Sequence, residues 1–264
     1  MSRIRVGVFG AGGRMGSTVC QAVAADPALE LVAGVDPHHS GLELSRVAGV
    51  SGVDLQVSAD RQSFVDARVD VAVDFTEAGA ARDNLTFLAE AGIHAVVGTT
   101  GFTSEDLEHF RSRFVRSNCL VAPNFAIGAI LMMRFAAMAA PYFDTAEIIE
   151  LHHDGKVDAP SGTATLTAER MAEASSTWAA DPTTDHVWEG ARGGVGPAGI
   201  HVHSVRMRGM VAHQEVLLGT TGQTLTIRHD SIDRTSFMPG VILATKAIAD
   251  HPGVTVGLEA FLDL

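Results

Sequence analysis

Between Arg3 and Ala122 the chain lays down five short apolar runs, at Arg3–Gly10, Leu29–Asp36, Val69–Phe75, His94–Gly98 and Cys119–Ala122. Helical patterns at Arg14–Ala25, Glu77–Ala91 and Glu105–Val115 separate them. Strands that are apolar throughout must be covered on both faces, and strands alternating with helices pair in parallel. The expectation is an α/β fold with a doubly wound, Rossmann-like parallel sheet.

After Asn124 the pattern changes. A long helical stretch, Ile127–Ala140, leads to an extended Thr145–His153 and a second helix, Ser161–Ala174. The Trp178–Gly199 segment is rich in Pro, Gly, Asp and Thr and reads as a loop. Closely spaced strand patterns follow at His201–Arg208, His213–Gly219 and Gln223–Arg228, then a helix at Phe237–Ala249 and a strand at Thr255–Glu259. These elements imply a smaller α+β domain with a mixed or antiparallel sheet. The expected division is residues 1–124 with 235–264 for a dinucleotide domain, and 125–234 for a substrate domain. A length of 264 residues suits two modest domains, at about 100–200 residues each.

Composition removes several classes of function. At 46% hydrophobic and 19% charged, the chain has the material for a packed core. No apolar run approaches a membrane span. A net charge of −12 argues against nucleic acid as a partner, though a local basic pocket stays open. The two cysteines, Cys20 and Cys119, cannot make a disulfide framework and suit a reducing compartment. Ser2–Arg5 enters a strand pattern at once, without the look of a leader, so a cytoplasmic protein is expected.

The glycine-rich turn Gly10-Ala11-Gly12-Gly13-Arg14-Met15-Gly16 joins the first strand to the first helix. Glycines there let backbone approach a pyrophosphate, and the helix start supplies N–H groups and positive dipole charge. Asp36 ends the second strand, where an acid can hold the adenosine ribose hydroxyls. It favours NADH and repels a 2′-phosphate; Arg14 keeps NADPH open. Gly98-Thr99-Thr100 and Ala122-Pro123-Asn124-Phe125 follow the fourth and fifth strands and belong to the same edge of the sheet, where such folds bind ligands.

The densest polar chemistry is Glu150-Leu-His-His-Asp-Gly-Lys-Val-Asp-Ala-Pro-Ser-Gly-Thr163. His152 and His153 end a strand. Lys156, one of only two lysines among 19 basic residues, follows in a loop. Ser161 is a candidate N-cap, with Gly162 and Thr163 offering N–H groups to an anion. Histidine and lysine here suit proton transfer on an anionic small molecule. The histidines point to opposite faces, and no third ligand at a familiar spacing supports a metal. His201 and His203 share a strand face and read as surface or interface residues. On these residues alone, another nicotinamide oxidoreductase or a non-catalytic nucleotide sensor remains possible.

In order along the chain, the Gly10–Gly16 turn, Asp74-Phe-Thr76, Gly98-Thr-Thr-Gly-Phe102, Ala122-Pro-Asn-Phe125 and His152-His-x-x-Lys-x-Asp-Ala-Pro-Ser-Gly-Thr163 resemble the 4-hydroxy-tetrahydrodipicolinate (dihydrodipicolinate) reductases, above all actinobacterial members. The resemblance spans nearly the whole chain. It implies NADH- or NADPH-dependent reduction of a cyclic dicarboxylate in lysine and diaminopimelate biosynthesis, by a homotetramer. It also implies that His152 donates or accepts the proton, that Lys156 is a second proton donor, and that His153, Gly162 and Thr163 hold a substrate carboxylate. Two departures stand out: Glu77-Ala78 follows Thr76 where many members carry proline, and Asp154-Gly155 follows His153. Asp154 could raise the His152 pKa or counter Lys156 if it faces them.

Overall fold

A computed structural model describes residues 2–262; Met1 and Asp263–Leu264, the ends of the expected first domain, lie outside the described residues. The chain forms two compact units, Met1–Ala126 with Arg234–Leu264, and Ile127–Asp233.

The first unit opens with β1 (Ile4–Phe9), α1 (Arg14–Ala25) and β2 (Leu29–Val35). Two five-residue helices follow, α2 (Leu44–Ala48) and α3 (Gln62–Asp66). Next come β3 (Val71–Asp74), α4 (Ala78–Ala91), β4 (His94–Val97), α5 (Ser104–Arg113) and β5 (Cys119–Val121). The second unit holds α6 (Ile127–Ala139), β6 (Thr145–His152), α7 (Gly162–Ala174), β7 (Gly194–Val195), β8 (His201–Arg206), β9 (Ala212–Thr220) and β10 (Gln223–Ser231). The chain then returns to the first unit with α8 (Met238–Ala247) and β11 (Val254–Val256).

The first sheet is six-stranded, in the order β11-β5-β4-β3-β1-β2, and every pair is parallel. Its strands are apolar because helices cover both faces: Val71, Ala72, Val73, Ala95, Val96 and Val97 are all buried. Phe9 and Phe64 meet at 4.5 Å between ring centroids, tying α3 under the sheet. The strand order reverses direction at β1, which has β2 on one side and β3 on the other. Ligands of such sheets bind beyond the carboxyl ends of the strands at this switch point.

The second sheet runs β10-β9-β6-β8-β7. It is mixed: β6 pairs parallel with β8 and antiparallel with β9. The helix α7 lies in the crossover that the parallel β6–β8 pair requires. It packs against β6 and against α6, burying Ile148, Ala164, Ala168 and Met171.

The sequence expectations differ from this structure at three places. α2 and α3 escape a periodicity reading because each is little more than one turn. The expected loop at Trp178–Gly199 contains the short edge strand β7. The last strand is Val254–Val256, and the apolar residues beyond it form a turn that buries Leu258 and Phe261.

Candidate active site

At the switch point, Gly10, Gly13, Arg14, Met15 and Gly16 line a cleft of about 820 Å³ with Asp36, Phe75, Thr76 and Arg61, whereas Ala11 and Gly12 do not line it. Gly10 turns the chain with φ +63°. Gly16 lets α1 start against the turn: a Cβ there would lie 1.9 Å from the Gly10 carbonyl oxygen. Three of the turn's N–H groups are already engaged. Ala11 donates to the Val35 carbonyl at 3.3 Å and Gly13 to the Gly10 carbonyl at 2.8 Å. Gly12 donates to Asp36 Oδ2 at 3.0 Å. Arg14 and Met15, the first two residues of α1, therefore remain to meet an anion, at a helix start whose N-cap, Gly13, contributes no side chain. Ala11 itself is buried packing.

Asp36 is buried, and its Oδ1 accepts from the His38 N–H at 3.0 Å. Burial pushes its pKa up, but His39, the His38 N–H and the Gly12 N–H outweigh it and hold the carboxyl below its ordinary value. It is thus an ionised acceptor on the cleft wall, as a ribose hydroxyl requires. Close glycine approach, an uncapped helix start and a charged carboxylate fit a dinucleotide. Arg61 shares this cleft and went unnoticed in the sequence, because it is brought there by α3 and held by the Asp83 carbonyl.

Gly98–Thr100 and Ala122–Phe125 stand at the carboxyl ends of β4 and β5, on the same edge of the sheet as the turn. They do not line the cleft itself. Thr99 is buried and donates to the Thr76 carbonyl at 2.8 Å. Gly98 packs under Phe75, and Phe125 lies 5.6 Å from the same ring. Asp74 is fully buried and accepts from the Thr76 N–H, the Thr76 hydroxyl and Asn84, which fixes the Phe75–Thr76 wall.

The second constellation lies on β6, the loop after it and the start of α7. His152 and Glu150 alternate onto one face of β6, the face that also carries buried Ile148. Glu150 is completely buried and contacts His152 Nδ1. It also receives both terminal nitrogens of Arg206, at 2.8 and 3.0 Å, and the Ser161 N–H at 3.3 Å. Burial pushes Glu150 up, yet Arg206, Ser204 and His152 hold it below the usual carboxylate range. Burial lowers the His152 pKa; Glu150 opposes this, while Lys156 and Arg206 add to it. Lys156 Nζ is 2.8 Å from each oxygen of exposed Asp158. His153 is exposed. Ser161 caps α7 by accepting from the Ala164 N–H at 3.2 Å, which places Gly162 and Thr163 at the helix start.

Three sequence expectations change. Asp154 faces neither His152 nor Lys156 but pairs with Arg208 at 2.9 Å. His201 is buried, with Asp181 at 3.1 Å, because the Trp178–Gly199 segment folds over it. His203 is half-buried and held by Glu147 at 2.6 Å. Glu150 and Arg206 escaped notice as site residues. The alternation of Glu150 with His152 was a usable signal; Arg206 reaches them only through the β6–β8 register, which sets it opposite His152. Burial pushes the Cys20 and Cys119 thiols up, so both are packing residues. No cluster of metal-binding side chains occurs among the described residues.

A doubly wound sheet with a glycine turn and a charged carboxylate at the end of β2, joined in one chain to a mixed-sheet unit bearing histidines and a lysine, defines a nicotinamide-dependent oxidoreductase of the Rossmann-like class. Within that class, residues 4–125 match the dihydrodipicolinate reductase N-terminus and residues 128–262 its C-terminus. The chain belongs to the dihydrodipicolinate reductase family. A 4-hydroxy-tetrahydrodipicolinate reductase of Mycobacterium sp. (strain KMS) is 50% identical over 99% of this chain and 100% of its own. One from Beutenbergia cavernae is 49% identical over 99% of each. Dipicolinate-bound dihydrodipicolinate reductase from Paenisporosarcina sp. TG-14 superposes with TM-score 0.85 at 39% identity, covering 98% of this chain and 99% of that one.

Proposed function

We propose that this protein reduces 4-hydroxy-tetrahydrodipicolinate to tetrahydrodipicolinate, accepting NADH and, less readily, NADPH. The observation that carries this reading is the single strand–loop–helix segment that sets His152, His153, Lys156 and the start of α7 beside one another in the chain. Family membership and the dipicolinate-bound relative support the same substrate class.

The reaction adds a hydride to C4 of the ring and a proton to the neighbouring atom, and water leaves. The nicotinamide, when bound, supplies the hydride. Arg14 and Met15 would hold the pyrophosphate by their N–H groups, and Asp36 the ribose. Gly98–Thr100 and Ala122–Phe125, at the ends of β4 and β5, would face the nicotinamide. His153 and the Gly162–Thr163 helix start bind one substrate carboxylate. Lys156 exchanges Asp158 for the incoming anion and acts with His152 in proton delivery. Asp158 is exposed, so this exchange uncovers no buried charge. We also read the protein as a cytoplasmic homotetramer; exposed residues along β10 and its free edge support association through the second sheet.

Replacing Lys156 with Ala tests the assignment. Loss of a general acid costs about 10²–10⁴ in rate. Turnover should fall by that range while nucleotide binding, followed by fluorescence, is retained. Retention of both overturns the catalytic role of Lys156.

A further inference from the structure

We propose that Glu150 is the positioning residue for His152: with its charge fixed by Arg206, it accepts the Nδ1–H of the ring and leaves Nε2 as the nitrogen that exchanges a proton with substrate. This rests on the reading of His152 as a proton donor.

The geometry leaves Glu150 one state. It is fully buried, and an unpaired carboxylate there would be neutral. The bidentate Arg206 contact keeps it ionised, and the Ser161 N–H occupies a further acceptor site. An ionised carboxylate only accepts, so the imidazole nitrogen against it must carry a proton. The neutral ring is therefore the Nδ1–H tautomer. Arg206 also donates to the Asp158 carbonyl at 2.6 Å, which ties the Lys156 loop to the same carboxylate. Thus one buried acid organises the histidine, the lysine loop and the α7 cap. The charged groups facing the ring are Glu150 on its own strand, Arg206 on β8 and Lys156 in the loop; β9 sets the uncharged Ala212 opposite.

The test uses Glu150→Gln in the full chain. An opposite charge at contact distance shifts a pKa by about 1–3 units. Without it the imidazolium is harder to form, so the alkaline fall of kcat moves at least about one unit lower in pH, a tenfold loss of the protonated fraction at a given pH above it. KM for the dicarboxylate should stay within about twofold, since the glutamine oxygen still accepts from the Ser161 N–H and from Arg206 and so keeps the α7 start and the lysine loop in place; a purely structural role would not move the profile. Ring nitrogen-15 spectra of the unaltered protein, with His152 assigned by its loss in His152→Gln, provide a readout independent of folding in the Glu150 variant. They should show Nδ1–H in the neutral ring. An Nε2–H tautomer, or a Glu150→Gln profile superposing on the original, overturns the proposal. Full activity in His152→Gln instead overturns the catalytic reading beneath it, whatever the tautomer.

Discussion

Replacing Gly16 with Ala probes the dinucleotide turn at its tightest point. The added methyl would lie 1.9 Å from the Gly10 carbonyl oxygen, where real contacts do not fall below 3.0 Å. The turn or the first turn of α1 must therefore move by more than an ångström, and the group met is backbone. Overpacking costs about 1–3 kcal/mol, and a backbone obstacle puts this case toward the upper end. At this chain length each kcal/mol lowers Tm by about 2–4 °C, so a fall of roughly 4–12 °C is expected. The same movement displaces the Arg14 and Met15 N–H groups, and NADH binding should weaken at least about tenfold, or 1.4 kcal/mol. Gly79→Ala is the matched control. It lies in α4, its added methyl meets nothing within 4 Å, and the smaller unfolded-state entropy should stabilise by about 0.4–1 kcal/mol. Thermal unfolding followed by circular dichroism and nucleotide titration by fluorescence read both variants. Unchanged Tm and NADH affinity in Gly16→Ala would refute the account of the turn.

Asp36→Ala tests the proposed ribose acceptor: a hydrogen bond to a charged group is worth about 1.5–3 kcal/mol, so NADH kcat/KM should fall at least about tenfold while NADPH loses less; equal losses contradict the assignment. Ser161→Ala removes the α7 cap, which should cost about 0.5–2 kcal/mol in urea denaturation and raise KM for the dicarboxylate; an unchanged KM argues against carboxylate binding there. Asp106 is held well below the usual carboxylate range by the Arg82 guanidinium, then by the Thr103 N–H. Its stabilising effect is complete above the unfolded pKa of about 3.9 and fades as pH falls toward the folded value. Tm should therefore drop on acidification below about pH 4, and less steeply in Asp106→Asn; parallel curves would contradict this.

The parallel sheet was legible because burial on both faces forces apolar strands such as Val71–Val73 and Ala95–Val97, a pattern few other folds need. The Gly10–Gly16 turn was legible because a close backbone approach admits only glycine at Gly16. What escaped depends on contacts distant in sequence. Arg206 reaches Glu150 through strand register, and Arg61 reaches the cleft through a helix of barely more than one turn. His201 looked like a surface residue because nothing in its strand shows that a loop rich in Pro and Gly folds over it. Asp154 looked close to the lysine by spacing, yet Arg208, on the chain beyond β8, takes it.

The proposed reduction is tested by steady-state oxidation of NADH and NADPH in parallel, with the unstable substrate generated in the cuvette from pyruvate and aspartate semialdehyde by its synthase. Rapid oxidation that needs the generated substrate, faster with NADH, and lost in Lys156→Ala, is the predicted result. No oxidation of either nucleotide, with binding of both demonstrated on the same sample, would contradict it.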